Sequence, residues 1–185
     1  MRSSLLNRLG PVLDRVRRAA LVRRLTRMSG SASDREIARR LTTDKHGEPL
    51  LVRADRCGSS LLVRAFRAGS QRHEAVLFAT LEGDRATLRD IGGFSPGAVN
   101  RGVGTALLRL AEEVFRGAGV RRVVGYLAPT DPAHRERQVH FYLKNGYDVT
   151  LNGGVGRLEK VLSPSPWTPN DWPSPRLGLG RLRRR

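Results

Sequence analysis

One stretch of the chain brings together residue types and spacings that suit chemistry: Pro96-Gly-Ala-Val-Asn-Arg-Gly-Val-Gly-Thr-Ala-Leu-Leu108. It leads from a strand-like apolar run into a segment with strong helical period. Gly102 and Gly104 let the backbone approach a ligand closely. The free N–H groups from Asn100 through Val103 and Thr105 then converge on one spot. Such a turn is an anion site, strengthened by the helix dipole and suited to a pyrophosphate. Arg101 adds a side-chain phosphate partner. A dinucleotide fingerprint would need a third glycine where Leu107 stands, and an acid about 20 residues on, where Arg121 and Arg122 stand. A Walker loop fails because no Gly-Lys-Ser/Thr occurs. A purely structural glycine turn is the other reading of this spacing.

A second segment, Phe141-Tyr-Leu-Lys-Asn-Gly-Tyr147, follows about 40 residues downstream, with a helix and a strand expected between. The pair resembles the GNAT acetyltransferase superfamily over roughly residues 75–162. In that family a Pro-x-x-Arg-Gly-x-Gly-x-Gly/Ala turn opens the helix that holds coenzyme A. A later Phe-Tyr-x-x-x-Gly-Phe/Tyr closes the same site. Val99 takes the family's leading Gln/Arg position when the motif is anchored on Pro96 and Gly104. A shifted register, Arg101-x-x-Gly104-x-Ala106, restores an arginine there. The family's asparagine before the tyrosine helix has no clear counterpart, and its first strand and two helices are poorly matched in residues 1–50.

The resemblance implies an α/β (α+β) fold: a mixed, mostly antiparallel sheet flanked by helices, with a splayed central strand pair at the acyl-CoA site. It implies acetyl-CoA as co-substrate and an amine as acceptor. A backbone N–H around Ile91, Gly92 and Gly93 would polarise the thioester carbonyl, and the two glycines would ease the bulge that splays the strand. Tyr142 would protonate the leaving thiolate, since a phenol with pKa about 10 keeps its proton at pH 7. Asp90 and Glu82 are the candidates for taking the amine's proton, directly or through water, with a structural salt bridge as the other role for Asp90. His140 lies two residues before Tyr142 on the expected helix and points elsewhere. His46, His73 and His134 lack metal-ligand spacing, so no metal is expected.

These residues need elements to position them. Ser33 with Glu36 makes a capping-box pattern and predicts a short helix over 34–42. Strands are predicted at Leu50–Ala54, Leu61–Phe66, Ala75–Leu81 and Ala86–Ile91, with turns at Cys57–Ser60 and Glu82–Asp84. Leu107, Leu108, Leu110, Ala111, Val114 and Phe115 give residues 104–117 a broad apolar helical face, ended by Gly117 and Gly119. Val123–Leu127 reads as a buried strand and Ala128–Pro132 as a loop. Residues 134–144 read as a helix, and Tyr147–Leu151 and Arg157–Leu162 as closing strands.

At 185 residues and 20.5 kDa the chain fits one domain with extensions. The parts are a basic amphipathic arm at 1–30, the acetyltransferase-like domain at 31–162 and a Pro/Trp/Arg-rich tail at 163–185. Net charge is +17, of which the arm carries +7 and residues 161–185 carry +4. Only Lys45, Lys144 and Lys160 are lysines; the other 31 basic residues are arginines. In the arm, Leu9, Leu13, Val16 and Ala20 share a helical face after Pro11. Such a helix either docks on the domain or reaches a membrane surface or nucleic acid. Trp167 and Trp172 either pack back on the domain or anchor a partner. The alternative function is therefore a weakly catalytic or non-catalytic binding module, recruited to nucleic acid or anionic lipid by its basic arms. A dimer is one option for the oligomeric state. Single Cys57 excludes an intramolecular disulfide framework. No 18-residue apolar run or secretory core occurs, which points to a cytoplasmic protein, although the Arg-rich start also matches an organelle transit peptide.

Overall fold

A computed structural model describes residues 35–67, 72–127, 132–152 and 155–164, apart from the side chains of 132 and 133. The arm helix, the 128–131 loop and the tail from 165 lie outside these residues. Eight strands form one sheet: β1 (Glu36–Thr43), β2 (Pro49–Cys57), β3 (Ser60–Arg67), β4 (His73–Glu82), β5 (Arg85–Gly92), β6 (Arg122–Leu127), β7 (Asp148–Asn152) and β8 (Val155–Val161). Their order is β1-β2-β3-β4-β5-β6-β8-β7. Helix α1 (Val103–Gly117) joins β5 to β6, and α2 (Pro132–Lys144) joins β6 to β7. Every neighbouring pair is antiparallel except β5 and β6. The expected mixed, mostly antiparallel sheet is thus present. No helix among the described residues is long and apolar enough to cross a membrane.

Period-two alternation drives the strands. Leu50, Val52 and Ala54 of β2, Leu61, Val63 and Ala65 of β3, and Ala75, Leu77 and Ala79 of β4 are all at most 2% exposed. Helix α1 lies over β1 to β4 and closes this face with Leu107, Leu108, Leu110, Ala111 and Phe115. Each large apolar side chain so buried contributes roughly 2 kcal/mol. Arg53 and Arg64 stand directly opposite on the other face, a repulsive cross-strand pair by itself. Asp55 offsets it, with Oδ2 at 3.3 Å from Arg53 Nε and 2.6 Å from Arg64 Nη2.

Two expectations are corrected. Residues 34–42 do not form a capped helix; Glu36–Thr43 is β1, paired with β2. The acid of the expected capping box is taken by arginines instead, with Glu36 Oε1 2.6 Å from Arg39 Nε and Oε2 3.7 Å from Arg53 Nε. Pairing along β2 outweighs a local capping preference. The bulge also lies elsewhere. The β4–β5 register shifts between Phe78↔Asp90 and Ala79↔Leu88, which makes Arg89 the extra residue, three before Gly92.

Pairing of β5 with β6 runs only from Arg85↔Arg122 to Leu88↔Gly125. Past that point β5 continues beside β4 to Gly92, while β6 continues beside β8 to Leu127. The two parallel strands therefore part at the bulge, as expected of the central pair. Gly125 marks the last contact: a Cβ there would stand 3.2 Å from Leu88 O and 3.2 Å from Leu158 Cδ1.

Candidate functional site

The loop from β5 to α1 is pinned at its start. Ser95 N–H donates to Glu74 O at 2.8 Å, and Ser95 Oγ donates to the Glu74 carboxylate. At its end, Asn100 (φ 61°) and Gly102 (φ 85°) both take the left-handed conformation that lets successive N–H groups form an anion-binding concavity. Gly102 is the N-cap of α1 and supplies no side-chain cap, and the first turn holds no acid. The leading N–H groups of Val103, Gly104 and Thr105 have no partner within the helix by construction. A macrodipole of roughly half a positive charge adds to them.

These residues line a cavity of about 750 Å³, together with Ile91, Phe94, Lys45 and, from α2, Arg137, Phe141, Tyr142 and Lys144. Close approach explains Gly104: a Cβ there would meet the Phe141 ring at 3.1 Å and 3.2 Å. The two segments picked out by spacing thus touch, α2 lying against the first turn of α1. Of the expected cofactor-binding residues, Ile91, Asn100, Gly102, Val103, Gly104, Thr105 and Tyr142 line the cavity, and Gly92, Gly93 and Arg101 are not part of its wall.

Arg101 was expected to meet a phosphate, but its guanidinium is engaged by Asp44, with Nη2 2.6 Å from Oδ2. The Asp44 side chain is fully buried. That burial by itself would raise its pKa, yet the N–H groups of Glu48 and His46 and the Arg101 charge outweigh it and hold the carboxyl below its usual value.

Tyr142 is 8% exposed on α2. Its ring meets Phe141 edge-on at 5.1 Å and Tyr147 at 5.6 Å between centroids. Burial, and then the Asp90 carboxylate, push its phenol up to about 12. Asp90, exposed on β5, is therefore close enough to act electrostatically on Tyr142. Glu82 is not brought to the site. It closes the β4–β5 hairpin, six residues along β4 from Val76, the partner of Gly92. At ~3.3 Å per residue that is about 20 Å.

Behind Tyr142, Lys160 Nζ of β8 donates to Glu112 Oε1 of α1 at 2.7 Å and to Asn145 O at 2.7 Å. It also sits 5.0 Å from the centroid of the Tyr147 ring. This ties both helices to β8 and fixes the turn that follows Tyr142. Burial, with the Glu112 carboxylate, pushes the Tyr147 phenol far up as well. Sequence reasoning missed Asp44, Lys45, Phe94 and Arg137. The Asp44…Gly47 spacing, a hairpin-turn signal that went unread, would have marked the turn that holds the first two.

Residues 32–147 match the family model described as the acetyltransferase (GNAT) family. Among solved structures, the GNAT domain of S. lividans PAT is 16% identical, with a TM-score of 0.56 over 67% of this chain and 97% of that one. PaiA N-acetyltransferase from Thermoplasma acidophilum, solved in complex with coenzyme A, is 21% identical with a TM-score of 0.47. That match covers 56% of this chain and 62% of the Thermoplasma protein, under two thirds of its length. The ribosomal-protein-S18-alanine N-acetyltransferase from Escherichia coli is 17% identical, with a TM-score of 0.48 over 60% of this chain and 74% of that one. At these identities the likeness is one of fold. No curated protein sequence matches.

Proposed function

The chain belongs to the acetyltransferase (GNAT) family, and from that membership we propose that it moves an acetyl group from acetyl-CoA to an amine. One observation carries this reading: an uncapped helix start with a left-handed glycine turn and a buried tyrosine face the same cavity. The cradle fits a pyrophosphate, because the uncapped helix start offers N–H donors, its first turn holds no acid, and a side chain at Gly104 would crowd the Phe141 ring.

The amine nitrogen attacks the thioester carbonyl carbon; a C–N bond forms, the C–S bond breaks, and sulfur leaves with the electron pair. Of the three residues expected to polarise the thioester, Ile91 lines the cavity, and its backbone N–H donates to the carbonyl oxygen as charge builds there. Tyr142 Oη gives its proton to sulfur, and Asp90 or water takes the proton from nitrogen. Glu82 has no part in this scheme, being at the far end of the hairpin. A phenol at about 12 gives its proton to a thiolate of ordinary pKa ~8.5 only uphill, by about 5 kcal/mol. The transfer is therefore coupled to C–S cleavage, as negative charge develops on sulfur, rather than preceding it.

Thiol release from acetyl-CoA across a panel of small amines, peptides and proteins tests the reading. At least one acceptor is expected to support turnover. In Tyr142→Phe, kcat with that acceptor is expected to fall by ~10²–10⁴, with acetyl-CoA affinity little changed. An unchanged kcat removes Tyr142 from the chemistry. The second reading, a weakly catalytic module that its flanks bring to nucleic acid or anionic lipid, draws on the +11 carried by residues 1–30 and 161–185. Turnover with none of the panel, alongside retained acetyl-CoA binding, favours it.

A further inference from the structure

The cavity holds a cation whose origin lies far from either motif. Lys45 sits in the turn between β1 and β2. Asp44 Oδ1 organises that turn by accepting from His46 N–H at 2.9 Å and Glu48 N–H at 3.0 Å. The turn is clasped to the loop before α1 at two points. Lys45 N–H donates to Arg101 O at 2.9 Å, and Asp44 Oδ2 takes Arg101 Nη2 at 2.6 Å.

The clasp has two consequences. It holds Arg101, the cation that the glycine motif itself supplies, against Asp44, whose Oδ2 also lies 3.6 Å from Arg67 Nη2. It also lays the Lys45 side chain across the glycine turn, with Cγ 3.5 Å from where a Cβ on Gly102 would stand. Lys45 thereby lines the cavity alongside Gly102, Val103 and Gly104. Among the described residues its ammonium has no hydrogen-bond or ion-pair partner. Its fellow lysine Lys160 is spent in the Glu112 network, while Lys144 and Arg137 reach the cavity from α2 rather than from this turn.

We propose that Lys45, and not Arg101, is the side-chain cation for the pyrophosphate of coenzyme A, and that the Asp44–Arg101 pair is the clasp that sets it there. The assignment rests on the acyltransferase reading. An ammonium on a four-carbon stem is a compact, mobile point charge, suited to a diphosphate whose geometry is already fixed by backbone N–H groups. Arg101 contributes through its carbonyl and its ion pair, as the part of the loop that recruits the turn.

Calorimetric titration of coenzyme A and of 3′-dephospho-coenzyme A into full-length wild type, Lys45→Met and Lys45→Arg tests this. Lys45→Met is expected to weaken both ligands by the same factor, about tenfold or more, because both keep the pyrophosphate. Its affinity is also expected to depend less steeply on salt, while Lys45→Arg recovers most of the loss. Matched melting temperatures are expected, since Lys45 is an exposed turn residue. Coenzyme A affinity of Lys45→Met within twofold of wild type overturns the assignment and leaves the acyltransferase reading standing. So does a loss seen with coenzyme A but not with the dephospho form, which would move Lys45 to the 3′-phosphate. Wild type that takes up neither ligand overturns the acyltransferase reading and this assignment with it.

Discussion

Tyr142 stands where two helices and a strand meet, and its environment sets how its proton behaves. Burial first, and Asp90 second, raise its phenol from the ordinary 10 to about 12. An alkaline fall in kcat from loss of this proton is therefore expected only near pH 12. A falling limb with apparent pKa near 10 in wild type, lost in Tyr142→Phe, would contradict that. The same shift has a stability consequence. The folded pKa lies above the unfolded one, so the contribution is intact below pH 10 and is lost as pH rises through about 12. The amount at stake is about 3 kcal/mol at two pKa units. Tyr147 shifts in the same direction and adds to the effect. Urea midpoints at pH 9 and pH 11.5 should therefore drop more in wild type than in Tyr142→Phe; equal drops would refute it. At this scale the sequence was informative where a residue type is needed for close approach. Gly104 and Phe141 were singled out by spacing and prove to be in contact. The commitment of Arg101 to Asp44 was not legible, because the two are 57 positions apart and only the folded sheet brings the turn to the loop.

Elements that alternate strictly were legible almost to their ends. The four strands expected between residues 50 and 91 and the helix at 104–117 all form, each within a few residues of expectation. Glu36–Thr43 was not, because its helix signal was a single local pattern and its strand pairing is non-local. The bulge at Arg89 also escaped, since a one-residue register shift leaves the apolar alternation before it intact and has no composition of its own. The fork between β5 and β6 depends on how closely the strands approach at Gly125, where Leu88 O and Leu158 Cδ1 leave no slack. Gly125→Val is expected to push the strands apart and cost about 1–3 kcal/mol, as overpacking in a close-packed core does. A melting temperature lowered by several degrees, with weaker acetyl-CoA binding, is the expected result. A variant as stable as wild type would show that the fork does not depend on this contact.

For the whole molecule, charge concentrates toward the two ends of the sequence. The flanks at 1–30 and 161–185 hold +11 of the +17. The described core reaches its C-terminal limit at Leu162, which is 2% exposed and donates its N–H to Arg121 O at 2.8 Å. We expect a chain trimmed to 31–162 to melt cooperatively and to keep acetyl-CoA binding, while losing most salt-dependent affinity for DNA, RNA or anionic vesicles. Aggregation of the trimmed chain would instead assign the Leu9/Leu13/Val16/Ala20 face to the fold. The acceptor was not legible in the sequence, because the motifs describe the donor side alone. The family's first strand and two helices were poorly matched in residues 1–50, and among the described residues of that stretch the chain passes from β1 through the turn at 44–48 into β2 with no helix between. The central claim is that the glycine turn and the start of α1 form an acyl-CoA site. Titration of acetyl-CoA into wild type and Gly104→Glu tests it most directly. The account predicts wild-type binding between ~1 μM and ~1 mM, the usual range for such substrates, and none in Gly104→Glu, whose carboxylate fills and repels the pyrophosphate cradle. Wild-type protein that shows no binding at ~1 mM acetyl-CoA, or a Gly104→Glu variant that binds as wild type does, would contradict it.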